Sequence, residues 1–108
     1  MALTPEGLVK QKLKRILMSL PHCYHFFPAT GGYGRSGVPD VVGSFRGRFF
    51  GIECKAPGKT GNTTALQERE LAAIEAAGGV ALVYDGEMSV DVLVARLSGK
   101  EFNEEVLG

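Results

Sequence analysis

Apolar residues recur at helical spacing over residues 9–20 and predict an amphipathic first helix. Thr4 followed by Pro5 is typical of an N-cap and a first helical position, and Pro21 ends the helix. Glu6 lies on the same side of this helix as the apolar stripe. It is therefore either a carboxylate that needs a partner or an exposed first-turn acid favoured by the helix dipole. The stripe consists of Val9, Leu13, Ile16, Leu17 and Leu20.

The next segment has patterns that are typical of strands. The sequence HCYHFF, residues 22–27, predicts a first strand, and the loop ATGGYGRSG follows it. Residues 40–45 and 48–55 predict the two strands of a hairpin. Arg46 and Gly47 between them are expected to form a tight turn.

The second half of the chain alternates helix and strand. A second helix is expected to begin near Thr63 or Thr64 and to end at the glycine pair 78–79. The apolar run VALVY, residues 80–84, indicates a buried parallel strand, and residues 88–99 predict a last helix. The element order α-β-β-β-α-β-α predicts an α/β fold, with helices on the faces of a mixed sheet.

Length and composition fit one domain over residues 1–108. With 108 residues, 44% of them hydrophobic, the chain can build one modest core, and dimerisation would be an ordinary way to gain stability. No apolar run approaches the roughly 20 residues of a membrane span, and the first lysines lie inside the helical pattern rather than before a signal-type apolar run. We therefore expect a soluble, cytoplasmic protein that is not secreted and has no membrane partner.

Opposite charges are concentrated in the two halves of the chain. Residues 1–60 hold nine Lys or Arg against three acids, a charge of +6, and residues 61–108 hold three against nine, a charge of −6. A net charge of zero therefore does not exclude a basic face that binds nucleic acid. The same distribution also fits charges that only solvate opposite ends of the protein.

The cysteines and histidines predict neither a disulfide framework nor a zinc site. Cys23 and Cys54 are too few for such a framework, and both are expected to be reduced core residues. His22 and His25 flank Cys23, but no second pair of ligands appears at the spacing that a zinc finger needs.

The glycine-rich loop contains G-x-G-x-x-G at Gly32, Gly34 and Gly37. A dinucleotide site would need a helix directly after these glycines, but Pro39 and a β-branched run follow. We expect a mobile loop that lets a ligand backbone come close, with Arg35 and Ser36 as phosphate contacts. An ordinary surface loop fits equally well.

A two-residue turn would fix the hairpin register and bring three charges together. With Arg46 and Gly47 as the turn, paired residue numbers sum to 93, so Asp40 faces Glu53. Lys55 lies two residues past Glu53 and shares its face of the sheet. A longer turn or a bulge would move Asp40 to the other face.

Two carboxylates that face each other across a sheet favour a cation between them. Their hard oxygens suit Mg²⁺ or Mn²⁺, which commonly bind one or two carboxylates together with waters and a substrate phosphate. Such a site predicts hydrolysis of a phosphodiester, in which Lys55 positions water or neutralises developing charge. A plain surface salt bridge between Glu53 and Lys55 is the alternative.

The spacing of these charges resembles a nuclease motif. The second helix contributes Gln67, the first helix contributes Glu6, and the segments RSGVPD and IECKAPGK surround the charges. Together these features resemble the VRR-NUC domain, the virus-type replication-repair nuclease, over nearly the whole chain. The residues that resemble the PD-(D/E)XK motif are Pro39 and Asp40, followed after twelve residues by Glu53, Cys54 and Lys55.

This resemblance implies a restriction-endonuclease-like core and a Mg²⁺- or Mn²⁺-dependent endonuclease that acts on DNA. The site residues that it implies are Asp40 and Glu53 as metal ligands, the Cys54 carbonyl as a further ligand, Lys55 as the catalytic lysine, and Glu6 and Gln67, which complete the site.

Gln67 also has an interpretation that needs no active site. The sequence TALQ, residues 64–67, is a capping box in which the Gln67 side chain bonds back to the Thr64 amide. The same side chain can face inward, because Gln67, Leu71 and Ile74 share the helical face that should pack on the sheet near Lys55. Both roles stay open.

Stand-alone viral members of the family are similar to dimeric Holliday-junction resolvases. The resemblance therefore implies branched or junction DNA as substrate, a homodimer, and the cytoplasm of a phage-infected host. Family members that are fused to larger repair proteins cut flaps, so a flap-type nuclease is an alternative. A non-catalytic nucleic-acid-binding or regulatory module on the same fold is another. The candidate DNA contacts are Arg35, Ser36, Lys10, Lys14 and Lys59.

Overall fold

The computed structural model describes residues 3–29 and 34–99, which form three helices and four strands in the predicted order. The strand and helix ranges are shorter than predicted by one or two residues at several ends. Gly32 of the glycine-rich loop lies outside the described residues. The helices are α1 (Pro5–Ser19), α2 (Ala65–Ala76) and α3 (Val90–Leu97), and the strands are β1 (Cys23–Phe26), β2 (Val41–Phe45), β3 (Arg48–Cys54) and β4 (Val80–Tyr84).

A mixed sheet with the strand order β1-β2-β3-β4 forms the centre of the protein. Strands β1, β2 and β3 are antiparallel neighbours, and β4 runs parallel to β3, as the apolar run 80–84 predicts. Phe45 pairs with Arg48 across the predicted two-residue turn. The predicted register of the hairpin is therefore confirmed, and its continuation places Asp40 opposite Glu53.

The two faces of the sheet are covered by different helices. Side chains alternate along β3, so Phe50 and Ile52 point to one face, and Gly51 and Glu53 point to the other. Helices α1 and α3 pack on the first face and build the core with it. Helix α2 lies on the second face, where its Ile74 packs on Gly51 so closely that a Cβ there would collide with it. The buried core consists of Val9, Leu13, Leu17, Val41, Phe45, Phe50, Ile52, Cys54, Leu82, Tyr84, Leu93 and Leu97.

Local sequence signals explain where α1 begins and how the cysteines behave. The Gly7 N–H donates to Thr4 Oγ1 at 3.0 Å, so Thr4 is the predicted N-cap. Cys23 and Cys54 are both free thiols, as predicted. Burial raises the pKa of the Cys54 thiol to about 12, which leaves it a neutral core group. In residues 3–29 and 34–99, no helix is long and apolar enough to cross a membrane.

Candidate active site

Asp40 and Glu53 meet at the end of the β2–β3 hairpin that lies away from the turn. Asp40 directly precedes β2, and Glu53 is the penultimate residue of β3. The Cys54 N–H donates to Asp40 Oδ2 at 2.8 Å, so this carboxylate continues the contact between the two strands. The hydrogen bond fixes the Asp40 side chain and leaves its second oxygen, Oδ1, facing away from the ladder.

Glu53 is a buried carboxylate with one unpaired oxygen. Its residue is 4% exposed, and Oε2 accepts a hydrogen bond of 2.7 Å from Gln67 Nε2. The other oxygen, Oε1, is buried and has no hydrogen-bond partner among the described residues. Buried polar groups are normally satisfied, and leaving one unpaired costs about 1–3 kcal/mol. An unpaired carboxylate oxygen in a polar cavity is therefore a natural ligand position for a cation.

The environment of Glu53 disfavours its charged form. The pKa of Glu53 is raised to about 7, first because burial removes water from the carboxylate and next because Asp40 places a second negative charge beside it. The ammonium of Lys55 opposes this shift. A divalent cation would stabilise the charged form in the same way as Lys55, but more strongly.

Gln67 connects the start of α2 to the charged residues. The Lys55 ammonium donates to Gln67 Oε1 at 3.0 Å, and the Thr64 N–H donates to the same oxygen at 2.9 Å. The Gln67 N–H in turn donates to Thr64 Oγ1 at 3.1 Å. Both interpretations of Gln67 are therefore confirmed, since one side chain closes the capping box and also contacts Glu53 and Lys55.

Glu53 and Lys55 form a buried ion pair rather than a surface salt bridge. Lys55 Nζ lies 3.7 Å from Glu53 Oε2, and the Lys55 side chain is only 12% exposed. The pair is held from both sides, because Gln67 donates to Glu53 and accepts from Lys55. The Lys55 amine is thus held in place beside Glu53, but Lys55 is not among the residues that line the adjoining cavity.

Helix α1 supplies a second ammonium, Lys10, which pairs with Asp40. Lys10 Nζ lies 3.3 Å from Asp40 Oδ1 and 3.7 Å from Glu6 Oε2. Partial burial works against the charged form of Lys10, but the carboxylates of Asp40 and Glu6 outweigh it and raise its pKa. Glu6 is both partly exposed and paired, so the two interpretations of this acid each hold in part. Lys10, predicted only as a DNA contact, lies on Asp40.

The acids open into a cavity of about 390 Å³. The loop 34–38 forms one wall and rests on the start of α2. Gly37 has a φ of 82°, and a Cβ at this position would lie 2.6 Å from the Leu66 carbonyl. The glycine is therefore needed for loop-to-helix packing, in addition to any contact with a ligand. The remaining lining residues are Asp40, Glu53 and Gln67.

The other predicted DNA contacts lie around this cavity at different distances from the acids. Arg35 and Ser36 belong to its lining, and the Arg35 guanidinium also pairs with Glu70 at 3.0 Å. Lys14 is exposed on α1, and Lys59 is exposed in the turn that follows β3. The structure thus brings Arg35 and Ser36 to the acids, while Lys14 and Lys59 lie outside the cavity lining.

Asp85 is a buried acid that the sequence analysis missed. It directly follows β4, and its carboxylate accepts hydrogen bonds of 3.0 Å from the N–H groups of Gly58 and Glu87. These backbone donors, Glu87 first and Gly58 next, lower the pKa of Asp85. Asp85 thereby fixes the turn that follows Lys55. The sequence signal that could have identified Asp85 is its position directly after the predicted buried strand, residues 80–84.

The donor set matches a hard divalent cation in part. Mg²⁺ commonly uses one or two carboxylates and fills its other positions with waters and phosphate oxygens. Asp40 and Glu53 supply two carboxylates, and Glu53 Oε1 has no other partner in the described part of the chain. No group of three or more His, Cys, Asp or Glu side chains in residues 3–29 and 34–99 is arranged to hold a metal ion.

Comparison with known proteins gives no match: no family model, curated protein or solved structure is significantly similar to this chain.

Proposed function

We propose that this chain is a Mg²⁺- or Mn²⁺-dependent endonuclease that hydrolyses phosphodiester bonds in branched DNA and acts as a homodimer. The observation that carries the proposal is the buried Glu53 carboxylate, whose Oε1 has no hydrogen-bond partner among the described residues. Buried charges in proteins are normally paired or coordinate a metal. Asp40 lies next to Glu53 as a second acid, and a divalent cation shared by the two carboxylates would satisfy this oxygen.

The proposal includes the fold class. The α/β fold is assigned to the restriction-endonuclease-like class because the acids and the lysine lie at the end of the hairpin, where the resemblance to the PD-(D/E)XK motif implies them. The VRR-NUC resemblance further suggests junction DNA as the preferred substrate. A homodimer would present two such sites to symmetrically placed strands.

Asp40 and Glu53 would hold the ion, with the Cys54 carbonyl as a third ligand. When bound, a divalent ion stabilises negative charge on the phosphate and lowers the pKa of a water. Lys55 stands 3.7 Å from Glu53, where its ammonium stabilises charge that develops on the phosphate and orients the attacking water. Gln67 orients Lys55 and Glu53 through its two hydrogen bonds.

The residues around the cavity suit the sugar-phosphate backbone. Arg35 and Ser36 line the cavity and can donate to phosphate oxygens next to the acids. Lys14 and Lys59 are exposed and can contribute sequence-independent attraction for DNA at a greater distance. Such contacts position a strand but do not select its sequence.

A non-catalytic nucleic-acid-binding or regulatory module is the second candidate. The observation that favours it is the pairing of each acid with an amine: Lys10 lies on Asp40, and Lys55 lies on Glu53. In that case the four residues form a structural ion-pair network, and DNA is bound without being cut.

The deciding experiment incubates the protein with four-way junction, flap and linear duplex DNA in Mg²⁺, Mn²⁺ or EDTA. We expect cleavage with either metal, none in EDTA, and faster cutting of the junction than of linear DNA. A preference for flaps would indicate the flap-type nuclease. Binding of all three DNAs without cleavage in either metal would favour the non-catalytic module. Light scattering during gel filtration tests the homodimer on the same sample.

A further inference from the structure

We propose that Lys10 is a built-in counter-ion of the metal site, which a divalent cation displaces from Asp40 and which then binds a substrate phosphate. This inference rests on the proposed nuclease function and adds a second amine to it. It assigns different tasks to the two lysines of the site, one that stays in place and one that moves.

One carboxylate oxygen of Asp40 takes no part in the hairpin contact and is available to a cation. Its Oδ2 accepts the Cys54 N–H at 2.8 Å and belongs to the hairpin. Its Oδ1 is the oxygen that faces Lys10 Nζ at 3.3 Å. A cation that uses the Asp40 carboxylate without breaking the hairpin contact must therefore bind the oxygen that Lys10 already occupies.

The Lys10 ammonium and a metal ion compete for Asp40 Oδ1. A Mg²⁺ ion bound to this oxygen at about 2.1 Å would lie no more than about 5.4 Å from the ammonium in its present place. Two like charges at this distance repel each other. Metal binding therefore favours the movement of Lys10 away from Asp40.

The Lys10 side chain is less constrained than the Lys55 side chain. The Lys10 side chain is 38% exposed and carries its amine on four methylene groups, so it can swing away while α1 stays folded. Lys55 is 12% exposed and is held by Gln67 and Glu53. The two amines thus differ in constraint, and they pair with different acids, Lys10 with Asp40 and Lys55 with Glu53.

The destination of the displaced amine follows from the charges that remain. Glu6 Oε2 lies 3.7 Å from Lys10 Nζ and keeps this amine near the site after the metal has replaced it at Asp40. A phosphate that binds the metal would be the nearest new negative charge for the amine. Lys10 then links metal binding to substrate binding, because its release from Asp40 makes it available for DNA.

Calorimetry with Mn²⁺ and no DNA tests the counter-ion role, and Lys14→Met is the matched control because Lys14 is exposed one turn further along the same helix. We expect Lys10→Met to lower the Kd for Mn²⁺ about tenfold, since one repelling charge is removed. Lys14→Met should leave the Kd within about twofold of wild type, and Lys10→Arg, which keeps the charge, should also bind like wild type.

A second measurement follows junction DNA by fluorescence anisotropy in Ca²⁺, which replaces the catalytic metal. Losing one phosphate contact should reduce the slope of log Kobs against log salt concentration by about one in Lys10→Met. An unchanged slope would remove the phosphate role.

The outcomes separate this inference from the proposed function. If the wild type binds Mn²⁺ and cuts DNA but Lys10→Met binds Mn²⁺ no better, the counter-ion role is wrong and the nuclease stands. If Lys10→Met only lowers the melting temperature, Lys10 serves α1 stability through Glu6. If neither protein binds Mn²⁺ and neither cuts DNA, both proposals fail together.

Discussion

The β2–β3 hairpin ends in two different ways. At the turn, Arg46 and Gly47 have φ values of 51° and 86°, which fits a type I′ turn. At the open end, Asp40 and Glu53 place two carboxylates opposite each other. Neither end uses the most stable residues, because Asn-Gly is preferred in such a turn and like charges destabilise facing strand positions.

At the turn, the unfavourable choice is a single residue, Arg46, with a positive φ. A non-glycine residue in the left-handed region costs about 1 kcal/mol. Arg46 recovers part of this energy by placing its guanidinium 5.4 Å from the centre of the Phe45 ring. The Arg46 N–H also donates to the His22 carbonyl at 2.9 Å, so a contact with the residue before β1 helps to hold the turn.

The two acids at the open end depend on contacts with helices outside the hairpin. Glu53 stays buried because α2 contributes Gln67, and Asp40 is neutralised by Lys10 of α1. A cleft of about 580 Å³ beside the turn is larger than the cavity at the acids, yet its lining contains no carboxylate. Convergence of polar groups from several elements, rather than cavity size, distinguishes the open end from the turn.

The largest expected effect lies at the open end. Asp40→Asn and Lys55→Met should each reduce cleavage of junction DNA by at least about 10³-fold, because they remove a cation ligand and the amine that stabilises developing charge. Single-turnover cleavage with Mn²⁺ measures the loss, and circular dichroism verifies the fold. Arg69→Met, which removes an exposed cation of α2 outside the cavity lining, is the control and should retain most activity. A folded variant that cuts at the wild-type rate would remove its residue from the mechanism.

Glu53→Gln is expected to destroy cleavage and yet to stabilise the metal-free protein. The folded-state pKa of about 7 exceeds the ordinary value of 4.5, so folding binds the proton and wild-type stability falls as the pH rises from about 4.5 to 7. The Glu53→Gln variant carries a neutral amide at this position and therefore does not lose stability over this pH range. In EDTA at pH 8 the variant should be more stable by about 1–3 kcal/mol, and near pH 4 the gain should vanish.

Urea unfolding at pH 4, 6 and 8 measures this difference, and the same series in Mg²⁺ serves as its counterpart. Mg²⁺ should stabilise the wild type more than the variant, because Glu53→Gln removes one of the two carboxylates that would hold the ion. If the variant is less stable than the wild type at pH 8 in EDTA, the ion pair of Glu53 with Lys55 outweighs the burial of the charge.

The smallest effect is expected at the turn. Arg46→Asn replaces a strained residue by one that tolerates positive φ, and the loss of the contact with the Phe45 ring offsets part of the gain. We expect a net stabilisation of about 0.5 kcal/mol in urea unfolding, with DNA cleavage unchanged. A destabilised variant would mean that the cation–π contact exceeds the strain.

The hairpin could be predicted because its determinants are local. The two-residue turn at Arg46 and Gly47 and the alternation of side chains are enough to set Asp40 opposite Glu53. The capping box gave Gln67 its first role in the same way, from residues three apart.

The partners of the two acids could not be predicted in this way. Lys10 precedes Asp40 by thirty positions, and its place on that carboxylate depends on how Val9 and Leu13 rotate α1 against the sheet. Asp85 reaches Gly58 only because β4 lies parallel to β3. Contacts of this kind depend on packing between elements that the periodicity of each element does not specify.

The order of the elements, the hairpin register and the shared face of two acids and an amine can be read from local sequence, because backbone geometry and side-chain alternation act over a few residues. The burial of Glu53 and the pairing of Lys10 with Asp40 depend on packing between distant elements. Burial and charge pairing are set where α1, α2 and the sheet meet, and that meeting is a property of the packed core.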